Sequence, residues 1–352
     1  MHLYIRADAD SRMGTGHIMR CIALAQAWQD QGGEVTFISH CDSEPLKERI
    51  KDEGFTLIPI ERISPDPSDL ENTLSILKTD ISGKKKWIVL DGYHFIPAYQ
   101  KAIRDEGISL TVIDDMNHLD HYHADVLLNQ NINAPELTYH CDDDTALLLG
   151  TRYALLRREF LQYRDYRHNV PERARNILVT LGGADQDNVT LKVIDALKLF
   201  EDLKIQVKIV IGPANPYQEI LSQALSSAQF ACDLITNPTN IPELMAWANL
   251  AISAGGSTCW ELIFMGVPSI LITIAENQQQ VAEHLALMGL ASNLGWYNSL
   301  AVHQLSCQTQ RLVYDFQKRK FMSQLGHSLI DGDGVVRVID SMRKHCVQIP
   351  RN

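Results

Sequence analysis

The chain alternates short apolar runs with stretches whose apolar residues recur at helical spacing. Residues 3–8 (Leu-Tyr-Ile-Arg-Ala-Asp) read as a strand, and residues 18–31 then place Ile18, Cys21, Leu24, Ala25 and Trp28 on one helical face. The same alternation predicts strands over 34–39, 55–60, 87–90, 110–113 and 125–128, with helices over 45–53, 70–78 and 97–106 between them. A second series predicts strands over 176–181, 205–211, 228–235, 250–253 and 269–273 and helices over 189–199, 217–227, 241–247, 258–265 and 278–288. Strands rich in Val, Ile and Leu, separated by helices, indicate parallel sheets covered on both faces. The intervening stretch, 152–175, is rich in Arg, Tyr and Glu and carries Pro171, so it reads as the domain connection. The expected architecture is α/β: two doubly wound Rossmann-like domains facing across a cleft, over 1–160 and 171–352. The final helices, 302–324 and 335–343, can return to the first domain.

Composition changes this picture little. A length of 352 residues suits two domains, and the apolar and charged fractions, 45% and 21%, are those of an ordinary globular protein. No apolar run reaches the roughly 20 residues that span a bilayer, and the N-terminus reads as a strand instead of a signal peptide. A cytoplasmic protein without a membrane partner is expected. The net charge of −11 weighs against nucleic acid as a partner but not against a small anion held by backbone N–H groups. Seven scattered cysteines, none in a CxxC pair, indicate reduced thiols and no structural zinc site.

The chemistry concentrates in turns that follow strands. The first runs from Arg6 to Arg20 and contains Gly14-Thr15-Gly16-His17. Gly14 and Gly16 allow close backbone approach to a ligand, and the N-terminus of the following helix suits a diphosphate. The segment is also half of a dinucleotide fingerprint, but Met19 stands where its third glycine belongs. His17 falls at the helix start, where the positive end of the dipole favours a neutral ring that can accept a proton from water. Asp8 or Asp10 can orient the other ring nitrogen, or can simply shape the turn. Asp91, Tyr93 and His94 follow another strand and can contact a sugar or assist His17. Asn129, Asn131 and Asn133 form a further polar cluster.

In the second half, Leu181-Gly182-Gly183-Ala184-Asp185 ends a strand, with Asp187 or Asn188 as candidate helix cap. Ser253-Ala254-Gly255-Gly256-Ser257-Thr258 leads into a helix carrying Glu261, which can bridge ribose hydroxyls or complete a capping box. Asn277 and Gln278 open the next helix. Three polar strand-to-helix turns in one domain fit a nucleotide pocket. Asp114-Asp115 and Asp142-Asp143-Asp144 are possible Mg²⁺ carboxylates but read as structural, so neither a metal nor a cofactor is expected.

Together these segments resemble the UDP-2,4-diacetamido-2,4,6-trideoxy-β-L-altropyranose hydrolases of pseudaminic acid biosynthesis, which are similar in fold to the GT-B glycosyltransferases. The resemblance rests on Arg6-Ala-Asp-Ala with Gly14-Thr-Gly-His-Ile-Met-Arg-Cys21, on Leu90-Asp-Gly-Tyr-His94, on Leu181-Gly-Gly-Ala-Asp185, on Ser253-Ala-Gly-Gly-Ser-Thr258 with Glu261, and on Glu276-Asn-Gln278. It implies that His17 is the base that activates water, in a reaction releasing free sugar and UDP without a metal. It implies nucleotide binding by Gly183, Ser257, Thr258, Glu261 and Asn277. Arg6, Asp8, Gly14, Gly16, Asp91, Tyr93, His94, Gly256 and Gln278 complete the substrate-binding candidates. The partners expected are a UDP-sugar and water. The alternatives are a GT-B glycosyltransferase, a nucleotide-sugar sensor without turnover and, more distantly, a dehydrogenase.

Overall fold

The computed structural model describes residues 1–10, 13–81, 83–183, 185–200, 204–212 and 215–348, with side chains undescribed at 346–348. Ser11, Arg12 and Ala184 of the segments quoted above lie outside the described residues. The chain divides into two compact units, Met1–Arg158 with Asp333–Asn352, and Glu159–Gly332.

Unit 1 runs β1 (His2–Ala7), α1 (Gly16–Asp30), β2 (Glu34–Ser39), α2 (Glu44–Asp52), β3 (Thr56–Pro59), α3 (Pro67–Thr79), β4 (Lys86–Asp91), α4 (Pro97–Asp105), β5 (Ser109–Ile113), β6 (Val126–Asn129) and β7 (Ala146–Leu149). Its seven strands form one parallel sheet in the order β3-β2-β1-β4-β5-β6-β7. Alternate residues serve opposite faces, as the two-residue period of a strand demands. Leu3, Ile5, Trp87 and Val89 join the core under α1, whereas Tyr4, Ile88 and Leu90 join the core on the other face. Helix α1 buries Ile18, Cys21, Ile22, Leu24, Ala25 and Trp28. Each large apolar side chain so buried contributes roughly 1.5–3 kcal/mol.

Unit 2 follows the short helix α5 (Arg158–Leu161). It runs β8 (Asn176–Thr180), α6 (Val189–Lys198), β9 (Gln206–Ile211), α7 (Gln218–Ser226), β10 (Ala231–Thr236), α8 (Ile241–Trp247), β11 (Leu250–Ala254), α9 (Thr258–Phe264), β12 (Ser269–Thr273), α10 (Gln279–Leu287), β13 (Ser292–Trp296), α11 (Val302–Tyr314) and α12 (Phe316–Leu329). The six strands are parallel, in the order β10-β9-β8-β11-β12-β13. The helix expected over 302–324 is two helices. They break at Asp315, whose carboxylate caps α12 by accepting from the Lys318 amide. Both stay in unit 2. Only α13 (Gly334–Gln348) belongs to unit 1, where Val335, Val338, Ile339 and Met342 enter the core beneath α1. Among the described residues no helix is long and apolar enough to cross a membrane, and the six cysteines with described side chains are free.

One half-buried histidine gives unit 2 a pH dependence. Burial, reinforced by the neighbouring His327 and Arg319, pushes the His168 imidazole down to about 4. An unfolded chain binds that proton near pH 6.5. Stability is therefore fully present above pH 6.5 and falls as the pH drops towards 4, by about 3 kcal/mol. Denaturant titrations at pH 7 and pH 5 should show the loss, and His168→Gln should remove most of the difference between them.

Candidate active site

Both sheets change winding direction once. In unit 1 the chain adds strands outward from β1 to β3, then returns to place β4 on the other side of β1. In unit 2 the corresponding point lies between β8 and β11. Loops leaving the carboxyl ends of the two strands at such a switch point diverge and leave room for a ligand.

In unit 1 these loops carry His17 and Asp91. Ala7, the last residue of β1, is in register with Asp91, the last residue of β4. Gly14 takes φ +73°, a left-handed conformation that glycine adopts without strain, and the chain then enters α1 through Thr15. Thr15 makes no side-chain capping bond and no acidic residue occupies the first turn. His17 therefore meets Asp91 at the positive end of α1, with Nδ1 2.7 Å from Asp91 Oδ1. A carboxylate only accepts, so Nδ1 donates to it, and Nε2 is the ring nitrogen that presents a lone pair in the neutral tautomer. This corrects the expectation that Asp8 or Asp10 orients the ring.

Asp91 is fully buried and held from three sides. Arg20, one turn beyond His17 on the same helix face, donates from Nε and Nη2 at 2.6 Å each, and Cys21 Sγ lies 3.4 Å away. Burial alone would push the Asp91 carboxyl up; Arg20 and His17 more than offset it and hold the group well below the usual carboxylate range. Arg20 also donates to Asp115 at 3.0 Å, and the Tyr93 hydroxyl bonds to Asp115. The Tyr93 ring packs edge-on to His17 with centroids 5.2 Å apart. His118 also packs edge-on to Tyr93 and pairs with Asp114. Sequence reasoning gave no role to Arg20 or His118, and weighed Asp115 only as a metal carboxylate that reads as structural. The available signal was the three-residue spacing of His17 and Arg20, which puts both on one helix face.

Other candidates lie elsewhere. Arg6 and Asp8 are fully buried and paired with each other; Arg6 also donates to Asp69 at 2.8 and 3.1 Å, and Asp8 accepts from the His40 amide. These two side chains are committed to internal ion pairs, which corrects their expected contact with a substrate. His94 turns towards Asp8, at 3.0 Å. Asp10 accepts from the Met13 amide and so shapes the turn. Gly16 is exposed at the helix start with open space around it. Asn129 is buried against Tyr139 and the Asn131 amide. Asp114 accepts from two backbone amides and two tyrosine hydroxyls, and so organises its loop.

In unit 2, four loops leave the carboxyl ends of neighbouring strands. Those after β8 and β9 touch: a Cβ at Gly212 would lie 2.0 Å from the Gly183 carbonyl oxygen. Those after β11 and β12 touch as well. Gln278 packs over Gly255 and Gly256, and its Oε1 accepts from the Ile274 amide. Gln278 thus supports the turn from within. Ser257 precedes α9 without a side-chain capping bond, and Thr258 and Glu261 occupy the first turn. Helix α6 is capped by Asp185, which accepts from the amides of Val189 and Thr190 at 2.8 and 2.9 Å. Neither Asp187 nor Asn188 serves as the expected cap; Asn188 instead takes a left-handed turn.

The geometry can be set beside known proteins. The profile of the glycosyltransferase family 28 C-terminal domain matches residues 176–326. The spore coat polysaccharide biosynthesis protein SpsG of Bacillus subtilis is 27% identical over 341 residues, 96% of each chain. The UDP-2,4-diacetamido-2,4,6-trideoxy-β-L-altropyranose hydrolase of Campylobacter jejuni is 26% identical over 296 residues, 82% of this chain and 97% of that protein. The crystal structure of Acinetobacter baumannii MurG superposes with a TM-score of 0.64 at 17% identity, covering 97% of this chain and 99% of that one. Likeness at that identity shows the fold, and the fold is that of a two-domain, GT-B-like α/β protein.

Proposed function

We propose that this protein is an enzyme acting on a UDP-sugar, and specifically a hydrolase that releases UDP and free sugar. The observation that carries the reading is the His17–Asp91 pair, which leaves Nε2 as a proton acceptor at the switch point of the first sheet. Support also comes from the Campylobacter jejuni hydrolase, matched along nearly its whole length. The substrate class follows that relative: UDP-2,4-diacetamido-2,4,6-trideoxy-β-L-altropyranose or a close analogue.

In this mechanism His17 Nε2 takes a proton from water as the oxygen attacks C1. The bond from C1 to the diphosphate oxygen breaks, and UDP departs with the electron pair. Asp91 stabilises the imidazolium, which later returns its proton to solvent. Most glycosidases need a second carboxylic acid to protonate a poor leaving group. A nucleoside diphosphate leaves readily when its charge is met by backbone N–H groups and hydroxyls. We assign that task to unit 2: Gly183, Gly256, Ser257 and Thr258 at the diphosphate, Glu261 at the ribose and Asn277 beside them. Direct attack inverts the configuration at C1.

The glycosyltransferase profile over unit 2 favours a second reading, in which an acceptor hydroxyl replaces water. Donor-only incubation separates the two. Hydrolysis predicts steady UDP release from the UDP-diacetamido-trideoxy sugar with no acceptor present. Release that appears only when an acceptor is added would establish transfer instead, and none from any UDP-sugar would remove both readings.

A further inference from the structure

Unit 1 carries a second cluster of chemically capable side chains, at the edge of its sheet opposite His17. The connection from β5 to β6 has no helix in it. Residues 114–125 travel from the carboxyl end of β5 back to the amino end of β6. Near its end the segment is extended, so His121 and His123 project to one side while Tyr122 projects to the other. Tyr122 is buried and its hydroxyl donates to Asp114. A parallel bridge between Tyr122 and Cys141 lays this strip beside the segment that precedes β7, which brings up Asp142.

The outcome is a convergence of three donor atoms. His121 Nε2 lies 2.9 Å and His123 Nδ1 3.0 Å from the same oxygen, Asp142 Oδ1. Among the described residues this is the one group of three His, Cys, Asp or Glu side chains whose ligand atoms all fall within 4.8 Å of one another. Two ligands about 2.1 Å from a tetrahedral ion sit about 3.4 Å apart, and each His–Asp142 separation is within about half an ångström of that spacing. The three side chains are 39%, 25% and 27% exposed, which lets an ion enter and leaves its remaining positions to water. Arg104 also holds Asp142, but it donates to Asp144 at 2.8 Å and approaches Asp125 as well. It keeps carboxylate partners if a metal takes Oδ1.

We propose that His121, His123 and Asp142 form a structural site for a divalent transition-metal ion of the zinc class. Two imidazoles and one carboxylate are the donor set such ions take, whereas Mg²⁺ and Ca²⁺ take oxygen. The ion joins the ends of two loops. One of them, 114–125, carries Asp115 and His118 at its start, in the group around Tyr93 and Arg20. The site thus pins the crossover that supports the His17 cluster and takes no part in bond breaking.

The test uses the full chain without a histidine tag, stripped with chelator. Calorimetric titration with ZnCl₂ should show one site per chain with a dissociation constant of about 10 μM or tighter. Zn²⁺ should raise the melting temperature by several degrees. The His121→Ala/His123→Ala double variant should bind at least about 100-fold more weakly and lose the melting shift. If that variant melts abnormally in chelator, His123→Gln tested in the same way serves in its place. Absence of a saturable site, or affinity unchanged by removing the histidines, overturns the proposal.

Discussion

Replacing His17 with alanine is expected to slow UDP release by about 10²–10⁴-fold, the usual contribution of a positioned general base. The change should fall on kcat, because the nucleotide is assigned to residues of unit 2, which the substitution does not touch. Equilibrium binding of UDP should therefore match the parent within about twofold, since a surviving contact set keeps its free energy. The fold should survive as well. His17 is the second residue of α1, and the apolar face of the helix from Ile18 to Trp28 is untouched. Stopped assays with donor alone, alongside calorimetry with UDP, make the comparison. Undiminished turnover would take His17 out of the chemistry.

The second large effect is expected from Asp91→Asn. An amide can accept from His17 Nδ1 through one atom only, and its NH₂ group then faces the Arg20 guanidinium. The ring loses the partner that fixes its tautomer and stabilises its charged form; in Ser-His-Asp enzymes the equivalent exchange costs about 10⁴-fold. A loss of 10³-fold or more in kcat with little change in KM is expected here. The variant also leaves a buried cation with one carboxylate fewer, a change that typically costs about 3–5 kcal/mol when a buried pair is broken. Arg20 keeps Asp115, which lowers that figure. Rates should be taken per folded molecule, with a denaturation curve for each variant. Loss of stability with kcat intact would make Asp91 a scaffold residue alone.

The strands and helices that enclose the two sheets are legible because burial on both faces demands runs such as Trp87-Ile-Val-Leu90 and Leu250-Ala-Ile-Ser253. The edges are not. Strand β13, Ser292-Asn-Leu-Gly-Trp296, is half-buried throughout and has no apolar pattern, and β7 is four residues long at the other sheet's rim. The break at Asp315 was legible in principle, since an aspartate ahead of an apolar residue is a common cap. The site divides similarly. His17 announces itself through Gly14 and Gly16 in a strand-to-helix turn. Its partner stands out only as one of three candidates to assist it, beside Tyr93 and His94, because Asp91 is 74 residues away and only strand order brings β4 beside β1. Local reasoning favoured Asp8 and Asp10, and it had no means of knowing that Arg6 would claim Asp8. Polar residues near in sequence compete for one another, and which pairs form is decided by packing.

Helix α13 has a consequence for how the protein is made. Its Val338, Ile339 and Met342 complete the core against which α1 lies, and Arg343 stacks over Trp28. The ribosome must synthesise all of unit 2 before that helix exists, a wait on the order of ten to thirty seconds at ordinary elongation rates. During the wait, α1 has an uncovered apolar flank while the later unit can already close on itself. Unit 1 can therefore be completed only after unit 2 has been made, and the helix bearing His17 is sealed at that last step. A chaperone that holds exposed apolar surface would find its target there.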